Sequence, residues 1–211
     1  MCIRDSLSEG QSIITLSNKK VFEFTASPPK ASPLDSWNIT INDWQSDDDR
    51  YSLKTVTTQH HFPNSFLAPW SDLDPTALEY TSGTADYLTT FVTPLSSTKQ
   101  QRLGARLHLG SITDSVRLWV NGARVSVDLT SALDIVIDIT DQLRPSGELN
   151  ELHAEVASTL YNRVRAEQNS IWTFGNVASF TAGAAFEANA PQSYGLIGPV
   201  FVEWVEIVSV A

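Results

Sequence analysis

Few side chains in this sequence stand at the spacings that chemistry requires. The carboxylates Glu79, Glu155, Glu167, Glu187, Glu203 and Glu206 are scattered along the chain. Acid–base cleavage of a glycosidic bond needs two carboxylates held across one bond, and nothing in the sequence pairs any two of these. The single thiol, Cys2, lies in the first six residues, and no Gly-x-Ser-x-Gly elbow occurs, so no nucleophile stands out. There is no glycine-rich loop to cradle phosphate. His60 and His61 are adjacent, and on a strand they point to opposite faces, which makes a poor chelating pair. Asp47, Asp48 and Asp49 could contact a hard cation, but a solvated charged turn accounts for them better. The expectation is a chain with no catalytic residue, metal or cofactor of its own.

Composition sets further bounds. With 211 residues and 42% hydrophobic content, the chain can bury a core without disulfides, which its one cysteine forbids in any case. A net charge of -10 with no compensating Lys/Arg cluster repels phosphate backbones, so nucleic acid and anionic membrane are not expected partners. No run approaches the roughly 18 apolar residues of a membrane span. The opening MCIRDS looks like a translated sequencing adaptor. Residues 1–6 are therefore expected to be artefact, with the native chain continuing upstream and no signal peptide in view.

The elements that must carry any site are strands. Trp37, Ile39 and Ile41 alternate with Asn38, Thr40 and Asn42, and Leu103, Ala105, Leu107 and Leu109 with Gly104, Arg106 and His108. Ile135, Ile137 and Ile139 repeat the pattern, as do Leu152, Ala154 and Val156. Such period-two runs predict half-buried strands with one wet face. Residues 199–210 are apolar at both parities and predict a more central strand. Turn-forming clusters at TSGT, VTPLSSTKQQ and RPSGELN separate these runs, and no helical stripe is sustained. Many short strands so spaced predict an all-β sandwich. Residues 26–35 form a Pro-rich linker. Residues 166–193 lack a period and predict a long irregular loop. The expected organisation is 7–65 as the tail of a preceding domain or the start of the sandwich, and 66–211 as the sandwich.

The run SVRLWVNGARVSVD predicts a two-residue hairpin at Asn121-Gly122, pairing Val120 with Ala123, Trp119 with Arg124, Leu118 with Val125 and Val116 with Val127. This register sends Trp119 and Arg124 to the face opposite the small apolar residues, where a cation–π contact is expected. Asn38-Ile39-Thr40 is an N-glycosylation sequon whose asparagine falls on the wet face, as a secreted protein would have it.

Five segments occur in a telling order: TSGTADYLTTF (Thr81–Phe91), LGARLHLGSITDSVRLWVNG (Leu103–Gly122), IDITDQL (Ile137–Leu143), NELHAEVASTLYNRV (Asn150–Val164) and YGLIGPVFV (Tyr194–Val202). Together they resemble the C-terminal β-sandwich of α-L-rhamnosidase-like enzymes of glycoside hydrolase family 106. The sugar-binding domain of family 2 glycosidases shares much of the pattern. The resemblance covers roughly residues 66–208. It implies a galactose-binding-like jelly roll attached behind a catalytic (β/α)8 barrel, in a secreted enzyme acting on plant or microbial polysaccharide.

Two departures bear on sugar binding. Such domains often carry a Trp soon after the Asn-Gly turn, where this chain has VSVDLTSALD. Their Trp-x-Asn-Arg motif here has Leu160 ahead of Tyr161, Asn162 and Arg163. Strand parity takes Tyr161 out of the core-facing set of Leu152, Ala154 and Val156, so Tyr161, Asn162 and Arg163 are the candidate carbohydrate contacts, with Trp172 of the irregular loop as a fourth; bracing of the loop is the competing role. Trp119 and Arg124 are candidates for a domain interface. The expected function is a non-catalytic accessory domain, against the alternatives of a free-standing lectin-like module or a structural interaction domain.

Overall fold

The computed structural model describes residues 10–15, 17, 19–49, 51–95, 102–112, 115–128, 135–167 and 189–207. Two antiparallel sheets face each other. The larger contains β4 (Trp37–Ser46), β5 (Thr55–Ser65), β6 (Gly83–Val92), β9 (Ser115–Val120), β10 (Ala123–Val125) and β12 (Leu149–Ala157), in the order β10-β9-β12-β6-β4-β5. The smaller runs β11-β7-β14-β3 and is built from β3 (Ser32–Pro33), β7 (Arg102–Leu109), β11 (Ile135–Asp138) and β14 (Phe201–Ile207). A short pair, β8 (Ser111–Ile112) with β13 (Leu196–Gly198), stands between the sequences of the two sheets. A separate ribbon joins β1 (Gly10–Thr15) to β2 (Val21–Ala26). The expected all-β sandwich is what forms. Strands β3, β4 and β5, all from residues 7–65, belong to its two sheets.

Alternation explains which side chains meet. Trp37, Ile39 and Ile41 from β4, Ala85 and Tyr87 from β6, Leu118 and Val120 from β9, and Leu152, Ala154 and Val156 from β12 are buried on one inner face. Ala105, Leu107, Leu109, Ile135, Ile137, Val202 and Trp204 close over them from the other sheet, where Phe91 and Trp204 stand 6.2 Å apart between ring centres. Strand β14 lies between β7 and β3, as a central strand should, but its burial alternates. Phe201, counted among the apolar residues of that run, faces outward and stacks on His108 at 4.3 Å.

The Asn-Gly hairpin forms in the expected register, with Val120 opposite Ala123, Trp119 opposite Arg124 and Leu118 opposite Val125. Asn121 and Gly122 have φ of 52° and 79°, the positive values that a primed two-residue turn demands. Strand β10 stops at Val125, so the expected pairing of Val116 with Val127 is not made. Ala123, at the tip of this edge strand, is exposed rather than buried.

Candidate functional site

Strand β12 was expected to carry its parity on to Tyr161. It ends at Ala157 instead, and Tyr161 opens the short helix α2 (Tyr161–Ala166). The intervening serine and threonine cause the break. Ser158 N–H still donates to Gly83 O at 2.9 Å, but the Gly83 N–H is accepted by Ser158 Oγ at 2.8 Å and that of Tyr161 by Thr159 Oγ1 at 3.4 Å, so hydroxyls take over as acceptors where the strand stops.

On α2 the three sequence candidates part company. Tyr161 is half-buried. Asn162 is buried and locked twice to one backbone unit: its Nδ2 donates to Gln192 O, and its Oδ1 accepts Gln192 N–H, both at 2.8 Å. Arg163 turns to β4, donating from Nη2 to both oxygens of Asp43 at 2.8 and 2.9 Å and from Nε to Trp44 O at 3.1 Å. Asp43 is 1% exposed and also accepts Gln45 Nε2 at 2.6 Å. Both side chains thus bind protein: Asn162 ties α2 to Gln192, and Arg163 ties it to β4. Trp172 lies outside the described residues.

Trp119 does face outward, and Arg124 is its cross-strand partner. The stacking partner, however, is His153 of β12, with ring centres 4.7 Å apart and planes 17° from parallel. The expected cation–π contact with Arg124 is replaced because β12 flanks β9 on its inner side and places His153 directly opposite Trp119, whereas Arg124 sits exposed on the terminal strand. His153 Nε2 is in turn 2.8 Å from Asp86 Oδ1.

Sequence reasoning missed the buried polar residues. Asn121 Nδ2 donates to Gln142 O at 2.8 Å and to Asn150 Oδ1 at 2.9 Å, while its Oδ1 accepts Glu151 N–H at 2.9 Å. Asn150 is fully buried and donates to Thr93 Oγ1 at 2.8 Å. Trp70, on the short helix α1 (Trp70–Leu73), donates its indole N–H to Tyr87 Oη at 2.7 Å; Leu196 N–H donates to the same oxygen at 3.1 Å. Burial pushes the Tyr87 phenol up to about 12. Gly195 packs against this pair: a Cβ there would sit 2.7 Å from both Trp70 Nε1 and Tyr87 Oη. A signal did exist for two of these residues. Asp43 shares the inward parity of Trp37, Ile39 and Ile41, and Asn150 that of Leu152, Ala154 and Val156. A polar residue at an inward position demands a partner.

Asp47, Asp49 and Ser52 are linked locally: Asp49 N–H donates to Asp47 Oδ1 at 3.3 Å, and Ser52 N–H to Asp49 O at 2.9 Å. Ser52 and then the Asp49 backbone hold the exposed Asp47 carboxyl below its ordinary range. Among the described residues, no group of three or more His, Cys, Asp or Glu side chains is placed to hold a metal ion. Asn38 is exposed on the outer face of β4, as the sequon required.

No protein-family profile matches the sequence, and no curated protein matches it. Solved structures do match the fold. The chain is similar to part of the rhamnosidase from Novosphingobium sp. PP1Y, with a TM-score of 0.55 and 23% identity over 90% of this chain and 16% of that one. A β-glucuronidase from Faecalibacterium prausnitzii gives a TM-score of 0.48 at 16% identity, covering 96% of this chain and 33% of that one. A family 2 glycosyl hydrolase from Bacteroides cellulosilyticus DSM 14838 gives 0.46 at 16%, covering 83% and 21%. The likeness is one of fold, to a part of larger glycoside hydrolases. This chain spans 16% of the rhamnosidase's length.

Proposed function

We propose that this chain is a non-catalytic accessory sandwich of a secreted, α-L-rhamnosidase-like glycoside hydrolase of family 106. One observation carries the reading: nearly the whole chain takes the fold of a minor part of a rhamnosidase. The ordered segments from Thr81 to Val202 support the same assignment from an independent direction. In this reading the acid and base belong to a catalytic barrel elsewhere in the longer protein. Trp119 and Arg124, on the β9–β10 edge of the larger sheet, contact that barrel. The sandwich steadies the barrel and presents polysaccharide to it.

The test is to extend the gene upstream and express both lengths. The long product is expected to hydrolyse aryl α-L-rhamnosides, and the 211-residue chain to be inert. Turnover by the short chain, or an upstream frame without a carboxylate-bearing catalytic unit, would overturn the proposal.

A further inference from the structure

On the larger sheet's outer face, at the Trp37 end of β4, lies an open cleft of about 550 Å³. Its walls come from residues 33–36, from Asn64 at the end of β5, and from β6 and β12, which contribute Leu88, Thr90 and Glu151. Asn38, the sequon asparagine, lines it as well.

The walls are fixed in advance. Thr89 Oγ1 donates to Ser36 O at 2.7 Å, Trp37 Nε1 to Leu34 O at 2.7 Å, and Leu34 N–H to Val200 O at 2.9 Å. Together these tie the 33–36 wall to both sheets. On the opposite side Asn64, at φ 51°, is held by its backbone N–H donating to Asn38 Oδ1 at 3.1 Å. A cleft whose walls are already bonded loses little entropy when a ligand enters.

The lining offers a mixed set of groups to a ligand. Asp35, Asn64, Thr90 and Glu151 are exposed, and their side chains make no hydrogen bond or ion pair among the described residues. Asn38 spends its carbonyl on Asn64 and keeps its amide NH2 to offer. Leu88, 40% exposed, supplies an apolar floor. Two carboxylate acceptors, two amides and a hydroxyl around one apolar surface match a ligand dense in hydroxyl groups with an apolar ring face. The same carboxylates, on a chain of net charge -10, oppose an anionic ligand.

We infer that this cleft, bounded by Asp35, Asn38, Asn64, Leu88 and Glu151, binds a neutral oligosaccharide and discriminates against uronic acids. The choice of saccharide as ligand rests on the accessory-domain reading above. Neither Trp119 nor any residue of α2 lines the cleft.

The test is titration of the isotope-labelled 211-residue chain, followed by backbone amide NMR. The probes are a rhamnose-containing neutral oligosaccharide, xylohexaose, and an oligogalacturonate of matched length. At least one neutral probe is expected to shift the amides of Leu88, Thr90 and Glu151, with the acidic probe binding about tenfold more weakly or not at all. Asp35→Ala and Glu151→Ala, both at exposed positions, should each weaken binding about tenfold without moving the thermal midpoint. Arg117→Ala, on the same sheet face but outside the cleft, should leave it unchanged. No shift with either neutral probe, shifts mapping elsewhere, or equal binding of the acidic probe would overturn the inference. These outcomes do not depend on the upstream gene, so failure here and failure of the accessory-domain reading are read separately.

Discussion

Arg163 Nη2 reaches both carboxylate oxygens of Asp43, at 2.8 and 2.9 Å, across 120 residues of sequence. The relationship ties α2 to β4 of the larger sheet. Asp43 is 1% exposed, and removing the guanidinium leaves its charge with Gln45 Nε2 as the side-chain donor that remains. Arg163→Ala is therefore expected to destabilise the chain by about 3–5 kcal/mol, read as a lowered denaturant midpoint. Arg163→Lys should recover only part of this, because an ammonium cannot also serve Trp44 O in the planar geometry of the native fork. A midpoint shift below about 1 kcal/mol for Arg163→Ala would show that Asp43 is solvated or repaired by another cation.

The Asn-Gly turn makes a second prediction, because its two residues act through different terms. A Cβ at Gly122 meets nothing within 4 Å, so Gly122→Ala isolates the cost of positive φ, about 1 kcal/mol, and Gly122→Val costs more. At Asn121 the side chain matters instead. Asn121→Gly keeps the backbone freedom but abandons Asn150 Oδ1, Gln142 O and Glu151 N–H, and should cost about 1–3 kcal/mol. Denaturant midpoints of the three variants separate the terms. Equal, negligible effects would mean the hairpin tip frays in solution.

Tyr87 ties stability to alkaline pH. Its folded phenol titrates at about 12 against an ordinary 10.0, so the native state holds the proton more tightly than the unfolded chain. The resulting stability is fully present below pH 10, and is lost as pH rises from there through about 12. By linkage it amounts to about 3 kcal/mol. Tyr87→Phe removes this alkaline limb. It also strips an acceptor from Trp70 Nε1 and Leu196 N–H, lowering stability at neutral pH by about 1–3 kcal/mol. Thermal midpoints of both proteins between neutrality and pH 12 check the two effects together.

What the sequence disclosed, and what it hid, follows from how local each signal is. The strands of Trp37, Leu103, Ile135 and Leu152 were legible because alternation needs only neighbouring residues. So was the hairpin register, since Asn121-Gly122 permits one tight turn. Tyr161 was misplaced because parity counts strand residues and cannot see Ser158 and Thr159 ending the strand with their own hydroxyls. The pairing of Trp119 with His153 depends on β12 falling beside β9, some 34 residues away in sequence, a fact of topology that no local pattern contains. The cleft is hidden for the same reason: Asp35, Asn64, Leu88 and Glu151 come from four separate stretches.

Trp119 itself should be energetically modest. It is only half-buried, and its stack on His153 is a surface aromatic pair of the kind worth about 0.5–1.5 kcal/mol. Trp119→Ala in the isolated chain is expected to shift the denaturant midpoint by no more than that scale. In the longer protein the same substitution should cost more, if the barrel covers this edge. Identical losses in the two lengths would exclude Trp119 from the interface.

Asn38 carries the last prediction, because the sequon and the proposed cleft share one atom. Its Oδ1 is engaged with Asn64 N–H, and the nitrogen that a glycan would modify is the donor left for a ligand. A glycan at Asn38 would therefore fill the cleft that it lines. Chain secreted from a eukaryotic host is expected to gain a single glycan that Asn38→Gln abolishes, read as a mass shift removed by enzymatic deglycosylation. The glycosylated form should lose binding to the neutral oligosaccharide, while unmodified chain made in bacteria retains it. Equal binding by the two forms would place the sugar site elsewhere on the molecule.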